Sequence, residues 1–324
     1  MGVVAATGGA RDDYRGFVLT IAEGSRQDFS VLQTPDTSKL PDEPPDELVY
    51  RHDTDVRDSM RSLWASRDIV FTLAERDFRA QYKQATLGVL WAILSPLAML
   101  AIFTIIFSRS SSFNNLVNEH VPYPIFAYLG ILCWTFFSQA LGTGGASLLS
   151  NNQLLSKTQF PRECFPLETL LVTALNTLLS WIPLVVLFIF YYFVHGFTVK
   201  FPGVLWTIPL VVLELLFTAG VTVGVSALIV QMRDLVQVLP IVITLGMFAT
   251  PVIWPFARIP VRYQLIYSFL NPLGPIIDDA RRTMLVGWPP LWGPLIAGCA
   301  GTAFYCVVGY WLFKRFEVNF ADIA

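Results

Sequence analysis

The stretch at residues 259–277, IPVRYQLIYSFLNPLGPII, decides how the chain is threaded. It is apolar and close to the length of about 20 residues that a helix needs to cross a bilayer core of about 30 Å. It also carries Arg262, Asn271, Pro272 and Pro275, and counting it as a span puts the two chain ends on opposite sides. Prolines at 251, 255, 260, 272 and 275 favour short broken helices. Irregular backbone at membrane depth survives only where protein or a water-filled cavity covers it. The stretch therefore reads as a re-entrant or interfacial hairpin.

Around it lie six stretches that satisfy the length and polarity of a span: residues 87–108, 123–149, 167–194, 203–230, 235–256 and 290–313. Several exceed the minimum, so tilt or continuation beyond the bilayer is expected. The composition agrees, with 54 % hydrophobic and 14 % charged residues, against about 25 % charged in a soluble domain. The expected fold is an all-α integral membrane protein of six transmembrane helices with an outer hairpin between the fifth and sixth.

Charge is unevenly placed. Residues 1–60 hold 12 Asp and Glu against 6 Lys and Arg. With Pro35, Pro41, Pro44 and Pro45, residues 1–58 read as an acidic tail that cannot bury enough surface to fold. No apolar run of signal-peptide length follows a basic start there, so no cleaved leader is expected. Residues 59–86 are amphipathic, with Met60, Leu63, Trp64, Val70, Phe71, Ala74, Phe78 and Tyr82 recurring at helical intervals. Arg61, Arg67, Glu75, Arg76, Arg79 and Lys83 mostly take the other face. Such a helix lies in the membrane interface with its basic face towards anionic lipid or a partner. Residues 87–324 form the six-span body.

Orientation follows from Lys and Arg near the span ends. With the amino terminus inside, Arg76, Arg79, Lys83, Lys157, Arg162, Arg233, Lys314 and Arg315 are cytoplasmic. Arg109, Lys200, Arg258, Arg262, Arg281 and Arg282 are outside. Both termini are then cytoplasmic, and the four arginines around the hairpin need a reason to be where they are.

Several chemistries lack their residues. The GxxxxGK loop followed by Ser or Thr that cradles nucleotide phosphates does not occur. The cluster Gly142-Thr143-Gly144-Gly145 has no lysine after it and suits close helix packing. Energy must come from another chain or from an ion gradient. Glu214 is the one deep carboxylate in the spans, thin support for a proton route. It reads either as a partner for a neighbouring helix or as part of a substrate path or gate. Glu168 sits at a helix end. His52, His120 and His195 have no matching catalytic partners. Asp278-Asp279 beside Arg281-Arg282 reads as a gate or headgroup contact before it reads as a catalytic site. Cys133, Cys164, Cys299 and Cys306 show no metal-ligand spacing, and apolar packing is expected for them. No metal, resident cofactor, catalytic residue or nucleic-acid partner is expected.

One run resembles a known pattern: Glu75-Arg76-Asp77-Phe78-Arg79-Ala80-Gln81-Tyr82-Lys83-Gln84, then Leu87-Gly88, Trp91 and Ser95-Pro96-Leu97. It is similar to the amino-terminal signature of the permease subunits of type-2 ABC exporters of surface polysaccharides, the exporters of O-antigen, capsule and teichoic acid. Asn151-Asn152-Gln153-Leu154-Leu155-Ser156-Lys157 with Phe160-Pro161-Arg162-Glu163 resembles the family's cytoplasmic segment between spans two and three. Arg233-Asp234-Leu235 with Thr250-Pro251-Val252-Ile253-Trp254-Pro255 resembles its fifth-span region, and Asn271-Pro272-Leu273 its outer hairpin. The likeness runs in order from about residue 62 to the end.

The resemblance implies a homodimer of six-span subunits in a bacterial cytoplasmic membrane, docked on two copies of an ATPase subunit that binds ATP and Mg. It implies an ATPase contact made of Arg76, Asp77, Arg79, Lys83, Leu154, Lys157, Phe160, Arg162, Arg233 and Asp234. The hairpin becomes an exit gate in the outer leaflet made of Arg258, Arg262, Asn271, Asp278, Arg281 and Arg282, its four arginines available to lipid phosphates or a substrate pyrophosphate through charge-assisted bonds. Sugars slide over aromatic faces, so Trp91, Phe103, Phe107, Phe126, Trp134, Phe136 and Phe137 become candidate channel residues with Glu214. The alternative for each aromatic is the lipid face or the interfacial belt.

The expected function is export of a lipid-linked polysaccharide, with no bond made or broken on this chain. Arg outnumbers Lys 17 to 5, a bias of GC-rich genomes that points to cell-wall galactan as cargo. A type-2 ABC drug or lipid exporter shares the same fold and is the nearest rival. A membrane glycosyltransferase or acyltransferase acting on the same lipid carrier is the rival of another class.

Overall fold

The computed structural model describes residues 61, 63–83, 90–107, 121–151 and 161–317. Most of these residues are helical, with no strand among them. The acidic tail at 1–58 lies outside the described residues.

The amphipathic segment forms α1 (Arg67–Lys83). Five helices are long and apolar enough to cross a membrane: α2 (Leu90–Phe107), α3 (Tyr123–Gly145), α4 (Cys164–His195), α5 (Thr207–Gln231) and, after the hairpin, α9 (Trp292–Glu317). Between α5 and α9 come the shorter apolar α6 (Leu235–Ala249) and the hairpin helices α7 (Val261–Leu270) and α8 (Leu273–Arg281). Pro122 and Pro124 open α3, where the missing N–H has no helical partner to lose. Gly196 ends α4 in the left-handed conformation, φ 65°, that glycine adopts without a Cβ penalty.

One expectation is corrected. The apolar stretch at 235–256 is helical only to Ala249, because Pro251 excludes the helical region for the residue before it. Thr250 is accordingly extended, with φ −90° and ψ 144°. The 15 residues of α6 rise only about 22 Å, and Val252, Ile253 and Phe256 turn inward as buried side chains.

α3 is the central helix and is buried along most of its length. Its Tyr128 hydroxyl donates to the Ser180 carbonyl of α4 at 2.8 Å, and Ser180 Oγ donates to the Ala92 carbonyl of α2 at 2.9 Å. Lipid tails are as apolar as leucine, so small residues that let backbones approach carry much of the association between such helices. Of the glycine cluster, Gly144 fits this reading, since a Cβ there would lie 2.5 Å from Thr222 Cγ2. Gly142 has room, its nearest neighbour being Ile243 Cδ1 at 4.0 Å. A close helix crossing lies elsewhere, where Gly220 and Gly224 of α5 meet Gly309 of α9 backbone to backbone. All four cysteines are free; Cys133 and Cys164 are buried, Cys306 is half-buried with Sγ against the Leu216 carbonyl, and Cys299 is exposed rather than packed.

The hairpin lies against α9. A Cβ on Gly301 would strike the Phe269 carbonyl, and the Tyr305 hydroxyl donates to the Leu270 carbonyl at 2.8 Å. Tyr305 stands 13 residues beyond Trp292, about 20 Å along a helix of about 39 Å. The tip at 270–272 therefore meets α9 half-way along it.

Candidate functional site

Charged and polar side chains gather at the two ends of the helical body. At the near end, α1 lies along the first part of α4. Ala74 is the buried residue of α1, while Trp64 and Phe71 are exposed apolar side chains beside it. The Tyr82 hydroxyl donates to Asn176 Oδ1 at 2.6 Å, and Asn176 Nδ2 donates to Gln81 Oε1 at 3.1 Å. Asp77 lies beside Glu168, a buried carboxyl in the second turn of α4. Arg76 bonds Asp77 at 2.6 Å, and that carboxylate raises the guanidinium pKa above its ordinary value. Arg79 pairs with Glu75 one turn back, and both side chains stay exposed. Lys83, Arg233 and Asp234 are exposed, the last two at the turn from α5 into α6.

Arg162 and Glu163 immediately precede α4, and both reach the last turn of α9. Arg162 Nη1 donates to the Glu317 carbonyl at 2.9 Å. Lys314 Nζ sits 2.5 Å from Glu163 Oε1 and 2.8 Å from Glu317 Oε2. Leu154, Lys157 and Phe160, the other expected contact residues, lie outside the described residues.

At the far end, the four hairpin arginines take different roles. Arg281 is 3 % exposed and points inward. Its Nε donates to the Phe126 carbonyl at 3.0 Å, Nη1 to the Pro251 carbonyl at 2.8 Å, and Nη2 to the Val252 carbonyl. The guanidinium also stacks on the Phe126 ring, 3.8 Å from its centroid. It satisfies backbone that the break at Thr250–Val252 leaves without helical partners, the accounting that a low-dielectric interior demands. Arg282 is half-buried against the Trp288 ring at 5.2 Å. Arg258 and Arg262 are exposed, with Arg262 over the Tyr263 ring at 4.4 Å.

The hairpin carboxylates serve the backbone as well. Asp278 accepts the Phe256 N–H, and Asp279 accepts the Leu291 N–H at 2.7 Å. Asn271, at the hairpin tip, donates to Thr250 Oγ1 at 2.8 Å and to the Tyr267 hydroxyl at 3.0 Å. Tyr267 in turn donates to the Ala249 carbonyl at 2.7 Å. The far end is thus one polar lattice that fixes the hairpin to the end of α6 and the start of α3.

The candidate channel residues do not form one surface within the chain. Trp91 is exposed. Phe103 and Phe107 are half-buried and continue through Tyr123 to Phe126 as a ladder of ring contacts, 6.1 to 6.4 Å between centroids. Phe126, Trp134 and Phe136 are buried, and Phe137 stacks on Phe217 at 5.4 Å. Glu214 is buried beside the Cys133 thiol, with Oε1 lacking a hydrogen-bond partner.

Two features escaped the sequence reading. Lys314 served there only to orient the chain, although its place in the last turn of an apolar helix marks it as a charge needing a partner. The Arg281 cage had a signal too, since prolines 251 and 255 interrupt a helix at depth and free carbonyls that need a donor.

Residues 69–285, from α1 through α8, match the family described as ABC-2 type transporter. The chain is 29 % identical over 258 residues to the O-antigen export system permease protein RfbA of Klebsiella pneumoniae, covering 79 % of this chain and 95 % of that protein. It is 29 % identical over 221 residues to RfbA of Myxococcus xanthus, covering 68 % and 80 %. The polysialic acid transport protein KpsM of Escherichia coli is 23 % identical over 217 residues, covering 66 % and 80 %. With two thirds of its length inside the family match, the chain belongs to the ABC-2 type transporter family.

Proposed function

We propose that the chain is the permease subunit of an ABC exporter that moves a lipid-linked polysaccharide across the cytoplasmic membrane of a bacterium. The observation that carries this is that the chain covers 95 % of an O-antigen export permease. ATP and Mg are held by a separate ATPase, of which two copies dock on a permease homodimer. The vectorial step needs no bond-making residue on this chain. Cell-wall galactan is the candidate cargo, on the excess of Arg over Lys.

Six crossings with a re-entrant hairpin are supported by parity. The start of α4 and the end of α9 are joined by Glu163–Lys314 and therefore lie on one side. With α6 counted as a crossing, α4, α5, α6 and α9 make four between them, and a hairpin that returns to the side it entered from fits that pairing. Both of its ends sit at the far end, where Arg281 meets Phe126 and the Lys200 N–H donates to the Met284 carbonyl at 3.0 Å. The near end, with Arg76, Arg79, Lys83, Arg233, Lys314 and Arg315, is the cytoplasmic one by the positive-inside rule.

The docking surface in this reading is α1 with the 151–165 segment and the α5–α6 turn. The outer gate is the hairpin, with Arg258 and Arg262 facing outwards. Depletion of the chain is expected to remove the polymer from the cell surface and leave its lipid-linked form on the inner leaflet, measured by labelling intact against lysed cells. Unchanged surface polymer would overturn the reading. A tagged chain is expected to copurify the ATPase, and Arg79→Glu, which reverses an exposed charge on the docking surface, to lower the yield about tenfold. Undiminished copurification would remove α1 from the docking surface.

A further inference from the structure

The last turn of α9 is fastened to both flanks of the 152–160 segment. On one flank, Lys314 bridges Glu163 and Glu317, whose side chains are 3 % exposed. A buried ion pair differs from a surface one in that removing one partner strands the other's charge. Arg162 adds its bond to the Glu317 carbonyl. Phe313, fully buried, belongs to one apolar cluster with Leu148 on the preceding flank and Phe165 on the following one.

Nine residues closer to the far end, about 14 Å along the helix and about half a turn round it, α9 carries the hairpin. Tyr305 bonds the Leu270 carbonyl, and Gly301 abuts the Phe269 carbonyl. Past its first turn α9 contains no proline. α4 starts from the same segment but is interrupted by Pro183, which deletes a backbone bond and kinks a helix. Of α4, which starts there, and α9, which is held there by Lys314, α9 is the one without a proline in its interior.

We infer that α9 transmits displacement of the near-end segment to the hairpin, and that Lys314 is the positioning residue that fastens it there; this rests on the reading of the chain as an ATP-driven permease. An ATPase that moves Arg162 and Glu163 moves α9 through Lys314, and α9 moves the hairpin tip through Tyr305.

The test uses the full permease–ATPase complex. Leu270→Cys, in a chain with Cys299→Ala and Cys306→Ala, reports on the tip through its reaction with a membrane-impermeant maleimide. Right-side-out vesicles are loaded with ATP and vanadate or left empty. In the parent, trapping changes the labelling rate. Lys314→Met is expected to shrink that change by about two- to thirtyfold, the range that coupling substitutions span, while ATPase copurification persists. The exchange Glu163→Lys with Lys314→Glu is expected to restore it, which a loss of packing alone would not allow. Tyr305→Phe, which alters only the far attachment, is expected to shrink it too and serves if Lys314→Met fails to accumulate. A full response in Lys314→Met or in Tyr305→Phe overturns the inference and leaves the permease reading intact. Failure of any ATPase to copurify with the parent overturns both.

Discussion

Arg281→Met is expected to destabilise the protein by about 3–5 kcal/mol, the cost of breaking a buried charged cluster by removing one member. Methionine fills similar volume but donates nothing, so the Phe126, Pro251 and Val252 carbonyls lose their donors at once. Asp278 loses the nearby positive charge that offsets its burial. Arg281→Lys keeps the charge but not the planar fork, and a point charge cannot reach three diverging carbonyls. It is expected to fall between parent and methionine variant. Arg258→Met and Arg262→Met, on exposed side chains, are expected to stay within about 0.5 kcal/mol. Thermal unfolding of the detergent-purified chain, with membrane level as a second readout, decides the order. An Arg281→Met chain as stable as the parent would sink the structural role and return Arg281 to the list of headgroup or substrate ligands.

Gly130 belongs to the same cage. A Cβ at this position would run into the Val252 carbonyl and the Arg281 guanidinium, so the cage needs a glycine as much as an arginine. Neither requirement shows in the local sequence. Gly130 sits in the middle of an apolar helix and Arg281 at the polar end of a short one.

That contrast marks what was legible. Long apolar stretches announce helices because a chain in lipid must satisfy its own backbone. The interface helix announced itself through Ala74, Phe78 and Tyr82 at helical spacing. The end of α6 was legible in principle, since Pro251 forbids a helical Thr250, but the apolar run to 256 hid it. The faces of the spans were not legible. α3 is apolar all round, and a helix without a polar face gives no sign of which side meets protein. Phe126, Trp134 and Phe137 therefore looked like channel residues as readily as the packed side chains they are within this chain. Lys314 and Glu163, 151 positions apart, can be paired only once α4 and α9 are known to meet.

The second large effect is expected at the α5–α9 crossing, where Gly309→Ala should cost near the top of the range of about 1–3 kcal/mol for overpacking. A Cβ on Gly309 would meet the Gly220 carbonyl, and one on Gly224 would lie 2.9 Å from Gly309 Cα. Both obstacles are backbone, so no rotamer change relieves them and the helices must separate. Separation forfeits the close packing that holds helices together where no hydrophobic driving force acts between them. It also shifts α9 relative to Leu270 and Glu163, the two attachments that make it a rod. Gly142→Ala, facing only Ile243 Cδ1 at 4.0 Å, is the matched control and should leave the melting temperature almost unchanged. If both substitutions cost the same, close approach is not what Gly309 provides. If only Gly309→Ala destabilises, close backbone approach at this crossing is what keeps α9 packed in register with α5.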